Sequence, residues 1–265
     1  MRLRVLDSTE NPEVLACKAA RNDYMEDWIG DTTFSECMES VSPEHIDREF
    51  AQKILGEHDF PQMSSEEVAK TARLIRKLLE EPGHFGPFEH PHITFTVEGI
   101  SRITMAQITR HRHISFDVQS MRYVNFEDPD YLEIPELGNA DLHGRKASYD
   151  ESAASLEDRA KGEVRTDLYE NALENSTDAY NDLLDLGVAP ENARAVLPLA
   201  TKVNMTFTMN LRTLLHVADM RAAADAQWEV REMTERLLEE AEEFAPITIR
   251  TYRRDLKDRR NRLAP

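Results

Sequence analysis

Fourteen residues near the middle of the chain, RHRHISFDVQSMRY (110–123), concentrate basic side chains in an acidic protein. They include three arginines, two histidines and two serines, whereas the 265-residue chain has a formal net charge of −18. A guanidinium group binds a carboxylate or a phosphate through two parallel hydrogen bonds. Because the overall field of so acidic a protein repels anions, several arginines must converge to hold one. The segment therefore predicts a site for an anionic ligand.

The residues before this segment extend it into a predicted helix. The stretch ISRITMAQITRHRH (100–113) has helical spacing of its apolar residues. On such a helix Gln107, Arg110 and His111 share one face, because residues three and four positions apart are neighbours, while Arg112 points elsewhere. The alternative for any single arginine is a weak ion pair with one of the many surface carboxylates.

Two later segments and one earlier segment carry further candidates. Arg194 stands in ENARAVLP, and Asn210, His216 and Arg221 occupy the helix predicted after a strand at 202–210. Each of these two arginines could equally form a salt bridge. His84, in PGHFGPFEH, has glycines on both sides that let a ligand approach the backbone closely; an ordinary turn histidine is the alternative.

The histidines suggest a second enzyme class. His90 and His92 flank a proline, and His111 and His113 flank an arginine, so each pair could project to one side of a strand and bind zinc. No third ligand stands at a recognisable spacing, and the sequence has no His-Glu-x-x-His motif. A metal-dependent phosphohydrolase that uses these four histidines is the alternative enzyme class.

Other classes receive less support. The RHRH patch could bind nucleic acid, but the net charge argues against that function. Ser120 lacks a Gly-x-Ser-x-Gly context, and Cys17 and Cys37 lack an activating neighbour or a metal spacing. There is no phosphate-binding glycine-rich loop of the known kinds. The sequence therefore predicts neither a covalent nucleophile nor a conventional nucleotide-binding motif.

Composition sets the expected environment. The sequence contains no run of about eighteen apolar residues, so we expect no membrane span. The first ten residues do not resemble a secretory signal, and we therefore expect a cytoplasmic protein. The 50 Asp and Glu against 32 Lys and Arg are spread along the chain. Such a composition resembles that of proteins adapted to high salt, in which ions screen the self-repulsion.

The coarse pattern predicts one α+β domain with a central, mostly antiparallel sheet flanked by long helices and a charged, frayed tail from about residue 246. Strands are predicted by alternating apolar residues, and helices by their spacing, capping residues and stop signals. The predicted strands are 1–7, 92–99, 121–126 and 202–210. The predicted helices are 64–81, 100–113, 151–186, 189–198 and 211–246, the last with a break near Ala223. Residues 115–120 are predicted to be a connection and residues 127–150 an irregular loop.

Together, these segments resemble the flavin-dependent thymidylate synthase family. The hallmark of that family is Arg-His-Arg, seven arbitrary residues and Ser, which this chain matches with Arg110-His111-Arg112 and Ser120. GHFGPFEH before the hallmark, ARAVLP (193–198) and MNLRTLLHVADMRAAADAQWE (209–229) extend the resemblance in the right order. It covers roughly residues 1 to 245.

The resemblance implies a homotetramer with active sites between subunits that methylates dUMP to dTMP. The carbon donor would be 5,10-methylenetetrahydrofolate, which leaves as tetrahydrofolate, and NADPH would supply electrons through FAD. The residues implied to contact FAD are His84, Gly86, Arg110, His111, Arg112, Asn210 and His216. Those implied to bind dUMP are Gln107, Arg110, Val118, Gln119, Ser120, Met121, Arg122, Arg194 and Arg221. Arg221 would be catalytic, since it would polarise the pyrimidine and favour ionisation at N3.

The chain departs from the family pattern at four positions. Asp117 and Val118 stand where Asn-Glu is usual, so Val118 can contribute only backbone and apolar contacts to a ligand. Gly86 replaces a usual Ser or Thr near the flavin, and Asp225 stands where some members have His. These differences concern local contacts and leave the implied reaction unchanged.

Overall fold

The fold is built on a four-stranded sheet in which every strand runs antiparallel to its neighbours. A computed structural model describes residues 1–41, 48–61, 63–80, 84–137 and 156–256. The strands, in the order β1-β2-β4-β3 across the sheet, are β1 (Arg2–Ser8), β2 (His92–Ser101), β4 (Lys202–Asn210) and β3 (Ile114–Val118). The predicted α+β class is confirmed.

Three strands lie where the alternation of apolar residues predicts them. In β2 and β4 the buried positions alternate, so that Phe95 and Phe207 are paired across the sheet and both face the core. The register of these two strands shifts between Val97 and Ile100, where Gly99 has a φ of 75°. A glycine adopts this left-handed conformation without steric cost.

The strand predicted at 121–126 is wrong, because the third strand in sequence is β3, which begins seven residues earlier in the hallmark segment. Phe116 packs its ring 6.1 Å from that of Phe207, so β3 uses its alternating residues against the core. Residues after it form a turn instead, in which the Ser120 carbonyl accepts hydrogen bonds from the amides of Tyr123 and Val124. The connection predicted at 115–120 is therefore mostly strand.

The helix predicted at 100–113 is much shorter than expected. It begins after Ser101, whose side chain caps it, and ends at Ile108. The described helices are α1 (Pro12–Asn22), α2 (Phe34–Met38), α3 (Arg48–Glu57), α4 (Ser65–Glu80), α5 (Arg102–Ile108), α6 (Leu156–Asp185), α7 (Pro190–Ala193), α8 (Leu211–Arg221), α9 (Trp228–Glu242) and α10 (Pro246–Thr251). Residues 110–113 are therefore outside any helix, and Gln107, Arg110 and His111 do not share a helical face.

The other helix predictions agree with the structure within a few residues. A single turn follows α7, from Arg194 to Val196, and α8 and α9 are separated by residues 222–227, where the break was predicted. The stop at Pro82-Gly83 and most of the loop predicted at 127–150 lie outside the described residues. None of the helices in the described ranges is both long and apolar enough to cross a membrane.

The expected fraying from residue 246 is wrong for residues 246–256. They are helical, and Ile247, Ile249 and Tyr252 are almost fully buried. Glu13, which is buried in α1, accepts a hydrogen bond from the Thr248 amide at 2.6 Å and so caps α10. The apolar residues of this segment outweigh its charges, because they complete the core beside α4 and α9.

Candidate active site

A pocket of about 740 Å³ opens where β3 begins and β4 ends. Ile114 pairs with Met209, so the residues before β3 lie beside those after β4. Six residues implied by the family resemblance line this pocket: Arg110, His111, Arg112, Asn210, His216 and Arg221. We call it the β3-start pocket. Sequence segments about one hundred residues apart therefore meet because two antiparallel strands bring their ends together.

The backbone turns sharply to deliver the Arg-His-Arg residues. His113 has a φ of 64°, which makes it the one non-glycine residue with positive φ among the described residues. This conformation is uncommon for a residue with a Cβ atom. His113 stands between the end of α5 and the start of β3, directly after three residues whose side chains line the pocket.

His111 is buried and is held in one tautomer. It is 8% exposed, and its Nε2 accepts a hydrogen bond from Nε of Arg221 at 2.8 Å. Burial, together with the nearby Arg221 and His216, lowers the pKa of His111 to about 4. The imidazole is therefore neutral near pH 7 and carries its proton on Nδ1.

Arg221 is the last residue of α8 and reaches across to α5. Its Nη2 donates to the Gln107 carbonyl at 3.1 Å, so Gln107 contributes a backbone oxygen to the arrangement. Burial and the neighbouring Arg110 lower the pKa of Arg221 below its ordinary value. No carboxylate on the described residues of the pocket forms a salt bridge with Arg221, so its charge faces the pocket.

Asn210 and His216 provide two further polar groups. The Asn210 side-chain carbonyl accepts from the Thr213 amide at 2.8 Å and caps α8, which presents the first turn of that helix to the pocket. His216 packs edge-on against His111, with ring centroids 5.7 Å apart. Its buried Nδ1 has no hydrogen-bond partner. An unpaired buried polar atom is costly, so this nitrogen is a candidate contact for a polar ligand atom.

Four lining residues were not predicted from the sequence: Glu89, Arg212, Thr213 and Met220. A fifth, His113, was considered only as a zinc ligand or as part of a nucleic-acid-binding patch. Glu89 forms an ion pair with Arg212, whose guanidinium also lies over the ring of Phe85 at 5.9 Å from its centroid. Glu89 and Arg212 stand inside the segments that carry the family resemblance. Their proximity was not detectable, because 123 residues separate them in sequence.

His84 and Gly86 are placed less centrally. Neither is among the residues that line the pocket, although their segment reaches it through Glu89. Gly86 is exposed, and a Cβ atom added there would meet nothing within 4 Å. The usual Ser or Thr would therefore fit in this position, so local crowding does not account for the glycine.

A second group of predicted residues lies at the other end of β3. Arg122 forms a 2.6 Å salt bridge with Glu191, and Arg194 donates to the Glu191 carbonyl at 3.0 Å. The Ser120 hydroxyl accepts from the Arg122 amide at 3.3 Å. We call Ser120, Arg122, Glu191 and Arg194 the β3-end cluster. Arg122 lies on a turn rather than on the predicted strand.

Three more predicted residues adjoin this cluster but serve the fold. Val118 is the last residue of β3 and packs against the core. Gln119 pairs with Asn204 twice, through its amide at 2.8 Å and its side-chain oxygen at 3.0 Å. Met121 is buried, and its Sδ accepts from Nη1 of Arg102 at 2.9 Å.

The two groups lie at opposite ends of β3. Ile114 pairs with Met209, and Val118 pairs with Met205. Four residues of antiparallel strand span about 14 Å. A single chain therefore brings Arg122 and Arg194 together, but not with Arg221.

The paired histidines do not form a metal site. Across the described ranges no group of three or more His, Cys, Asp and Glu residues could hold a metal ion. Nδ1 of His92 lies 2.7 Å from the carbonyl of His90, and Nε2 of His111 is taken by Arg221. The phosphohydrolase alternative is not favoured.

Similarity to known proteins agrees with this geometry. A family model described as thymidylate synthase complementing protein matches residues 4–247. Flavin-dependent thymidylate synthases from Halobacterium salinarum and Haloarcula marismortui are 45% and 44% identical to this chain, and each alignment covers 100% of both chains.

The fold also matches a solved structure, that of the UMP/dUMP methylase PolB from Streptomyces cacaoi bound with 5-Br dUMP. The TM-score is 0.65 at 24% identity, over 95% of this chain and 94% of that one. This likeness concerns the fold, whereas the family match and the two full-length relatives concern the sequence. The chain therefore belongs to the flavin-dependent thymidylate synthase family.

Proposed function

We propose that this protein methylates dUMP to dTMP reductively, with 5,10-methylenetetrahydrofolate as the carbon donor and NADPH as the reductant through FAD. The observation that carries the proposal is the β3-start pocket, where four arginines converge in a chain of net charge −18. Two phosphorylated ligands, FAD and dUMP, explain why so acidic a protein concentrates guanidinium groups there.

The residues present fit FAD. The pocket volume falls within the range of about 300–1,000 Å³ that is usual for cofactor sites. Arg110, Arg112 and the first turn of α8 suit a pyrophosphate, and the unpaired Nδ1 of His216 suits a polar atom of the ligand. We assign FAD to Arg110, His111, Arg112, Asn210 and His216, with His84 and Gly86 at its margin. When bound, FAD supplies the redox chemistry of the reaction.

Arg221 is proposed as the catalytic residue. Its guanidinium would lie beside the pyrimidine, favour ionisation at N3 and stabilise negative charge on the ring. The hydrogen bonds to His111 and Gln107 fix its orientation before substrate binds. Because the positive charge is in place beforehand, little reorganisation is needed when charge develops on the ring.

The β3-end cluster of one subunit is proposed to bind the dUMP that lies beside Arg221 of a neighbouring subunit. Arg122 and Arg194 suit the phosphate, with Ser120 and the backbone of 118–121 beside the nucleotide. Within one chain this cluster and Arg221 lie at opposite ends of β3. A complete site therefore requires a second copy of the chain, as in the homotetramer that the family resemblance implies. Gln107 and Arg110 would belong to the part of the site contributed with Arg221.

Subunit sharing can be tested by complementation. Arg221→Ala and Arg122→Ala chains with different tags would be purified separately and also co-expressed. At a dUMP concentration well below KM, Arg221→Ala alone should be nearly inactive and Arg122→Ala alone about tenfold less active than wild type. Hybrid oligomers should be more active than either variant alone, because some sites receive both intact clusters. Hybrids that form and bind flavin but are no more active than Arg122→Ala alone would contradict a shared site.

The reaction itself is tested with the wild-type protein. We expect a yellow protein with flavin absorbance that forms dTMP from dUMP, the folate donor and NADPH, and no dTMP when NADPH is omitted. The assay should cover a range of KCl concentrations, because the acidic composition predicts better activity at high salt. A colourless protein that FAD cannot reconstitute and that forms no dTMP at any salt concentration would refute the proposal.

A further inference from the structure

A buried carboxylate outside the pocket holds the start of α5. Glu229, the second residue of α9, is 2% exposed. Its Oε1 accepts from the Ser101 amide at 2.8 Å, and its Oε2 accepts from the hydroxyls of Ser101 and of Thr104, the latter at 2.7 Å. A buried carboxylate requires such hydrogen bonds, since without them its desolvation would be strongly unfavourable. All three go to the first turn of α5.

The other end of α5 is held by Arg221. The guanidinium donates to the carbonyl of Gln107, in the last turn of α5, and to His111, just beyond it. The His111 amide in turn donates to the Ile108 carbonyl at 3.0 Å, which ties His111 to the end of the helix. A movement of α5 would therefore change both hydrogen bonds that orient Arg221.

Glu229 and Arg221 belong to one corner of the chain. Arg221 ends α8, Glu229 stands in the first turn of α9, and residues 222–227 connect them. This corner thus contacts α5 at both of its ends. Because α5 has only seven residues, its position depends on tertiary contacts rather than on intrinsic helix stability.

We propose that Glu229 is a positioning residue: it fixes α5 so that Gln107 and His111 hold the Arg221 guanidinium in its working orientation. This inference rests on the proposed function, in which Arg221 acts on the pyrimidine. Glu229 lines neither the β3-start pocket nor the β3-end cluster, so it acts through Arg221 and not on a ligand.

The test uses full-length Glu229→Gln and Thr104→Val proteins. The first removes the charge, and the second removes one hydrogen bond from the α5 side, so the proposal remains testable if one variant does not fold. Glu239→Gln is the matched control, because Glu239 is an exposed carboxylate on the same helix. We expect kcat to fall about tenfold in both variants, with KM for dUMP within about twofold of wild type, since small misplacements of a catalytic group are costly. The control should match wild type.

A second readout does not depend on turnover. NMR of ¹⁵N-histidine protein, with His111 assigned from a His111→Gln sample, reports the tautomer and titration midpoint of that ring. In wild type we expect the proton on Nδ1. In Glu229→Gln and Thr104→Val the midpoint should rise by about half a pH unit or more, because Arg221 no longer opposes protonation as closely. In an Arg221→Lys background, Glu229→Gln should add little to either readout.

The outcomes separate two failures. If wild type forms no dTMP but the His111 midpoint responds as expected, the proposed function fails and the coupling between Glu229 and Arg221 stands. The positioning role is overturned if both variants lose thermal stability only, with kcat and the His111 midpoint unchanged. It is also overturned if Glu229→Gln has the same effect in Arg221→Lys protein as in wild type.

Discussion

Both ends of β3 carry arginine side chains, but the two groups differ in burial and in hydrogen bonding. At the β3-start pocket, His111 is 8% exposed and is hydrogen-bonded to Arg221, which also binds a backbone carbonyl of α5. At the β3-end cluster, the side chains of Arg122 and Glu191 are 50% and 45% exposed, and their ion pair faces solvent. An exposed pair of this kind contributes about 0–1 kcal/mol. The first group is thus preorganised within one chain, whereas the second can be rearranged by a ligand or a neighbouring subunit at little cost.

The largest expected effect is at the preorganised end. Arg221→Ala should lower kcat by about 100-fold or more, because it removes a positive charge placed where negative charge develops. The circular dichroism spectrum and the flavin content should remain close to wild type. Arg4→Ala, which removes an exposed arginine of β1, is the control. Wild-type turnover in Arg221→Ala would remove the assigned role and, with it, the functional difference between the two ends of β3.

Substitutions in the β3-end cluster should weaken the binding of dUMP. Arg122→Ala and Arg194→Ala should each raise KM for dUMP by about tenfold, the consequence of losing a charge-assisted hydrogen bond of about 1.5–3 kcal/mol with partial compensation. Flavin content should not change. Glu191→Gln removes the ion pair with Arg122 and should change KM less than about threefold. Loss of flavin from either arginine variant would contradict the division of the site proposed above.

The buried histidine predicts that the stability of the protein depends on pH. The pKa of His111 is about 4 in the folded protein against 6.5 ordinarily. Between these values the unfolded chain binds more protons, so the free energy of unfolding should fall as the pH drops from 6.5 to 4. Urea denaturation at pH 6.5 and 4.5 should show this loss, and His111→Gln should reduce it by about 2 kcal/mol. An identical loss in both proteins would mean that His111 is not held neutral by its surroundings.

The smallest expected effect concerns the turn that delivers the Arg-His-Arg residues. His113 has a φ of 64°, so His113→Gly should leave stability within about 0.5 kcal/mol of wild type or increase it slightly. His113→Val should lower stability by about 1–2 kcal/mol, because a β-branched residue is disfavoured in this conformation. Urea denaturation of the flavin-free proteins measures both. Equal stabilities would show that the turn relaxes, and so that this end is less rigid than the contacts indicate.

Several elements could be predicted from local sequence alone. The alternation in 92–99 and 202–210 identified β2 and β4, and the capping residues and apolar spacing of 64–81 identified α4. Prediction failed where polar residues interrupt the pattern. β3 has only three alternating apolar residues, Ile114, Phe116 and Val118, and the four basic residues before them (110–113) extended the apparent helix. The helical segment after 246 was missed because its charges masked buried Ile247 and Ile249.

The candidate site divides in the same way. The hallmark residues and their neighbours in the family pattern could be identified by type and spacing. Glu89 and Arg212 were missed as lining residues, since their ion pair joins segments that are distant in sequence. The buried hydrogen bonds of Glu229 to Ser101 and Thr104 gave no local signal either, because an isolated acidic residue in the first turn of a helix is common.

By itself, the sequence determined which chemistry is available: guanidinium groups in three separated segments, most of the strand order along the chain, and the family. The tertiary structure decided how that chemistry is distributed. The pairing of β3 with β4 places Arg221 at one end of the strand and Arg122 and Arg194 at the other. Burial against Arg221 selects the neutral form and the tautomer of His111. Residue types set what a side chain can donate or accept, but strand register and burial depend on contacts between distant segments.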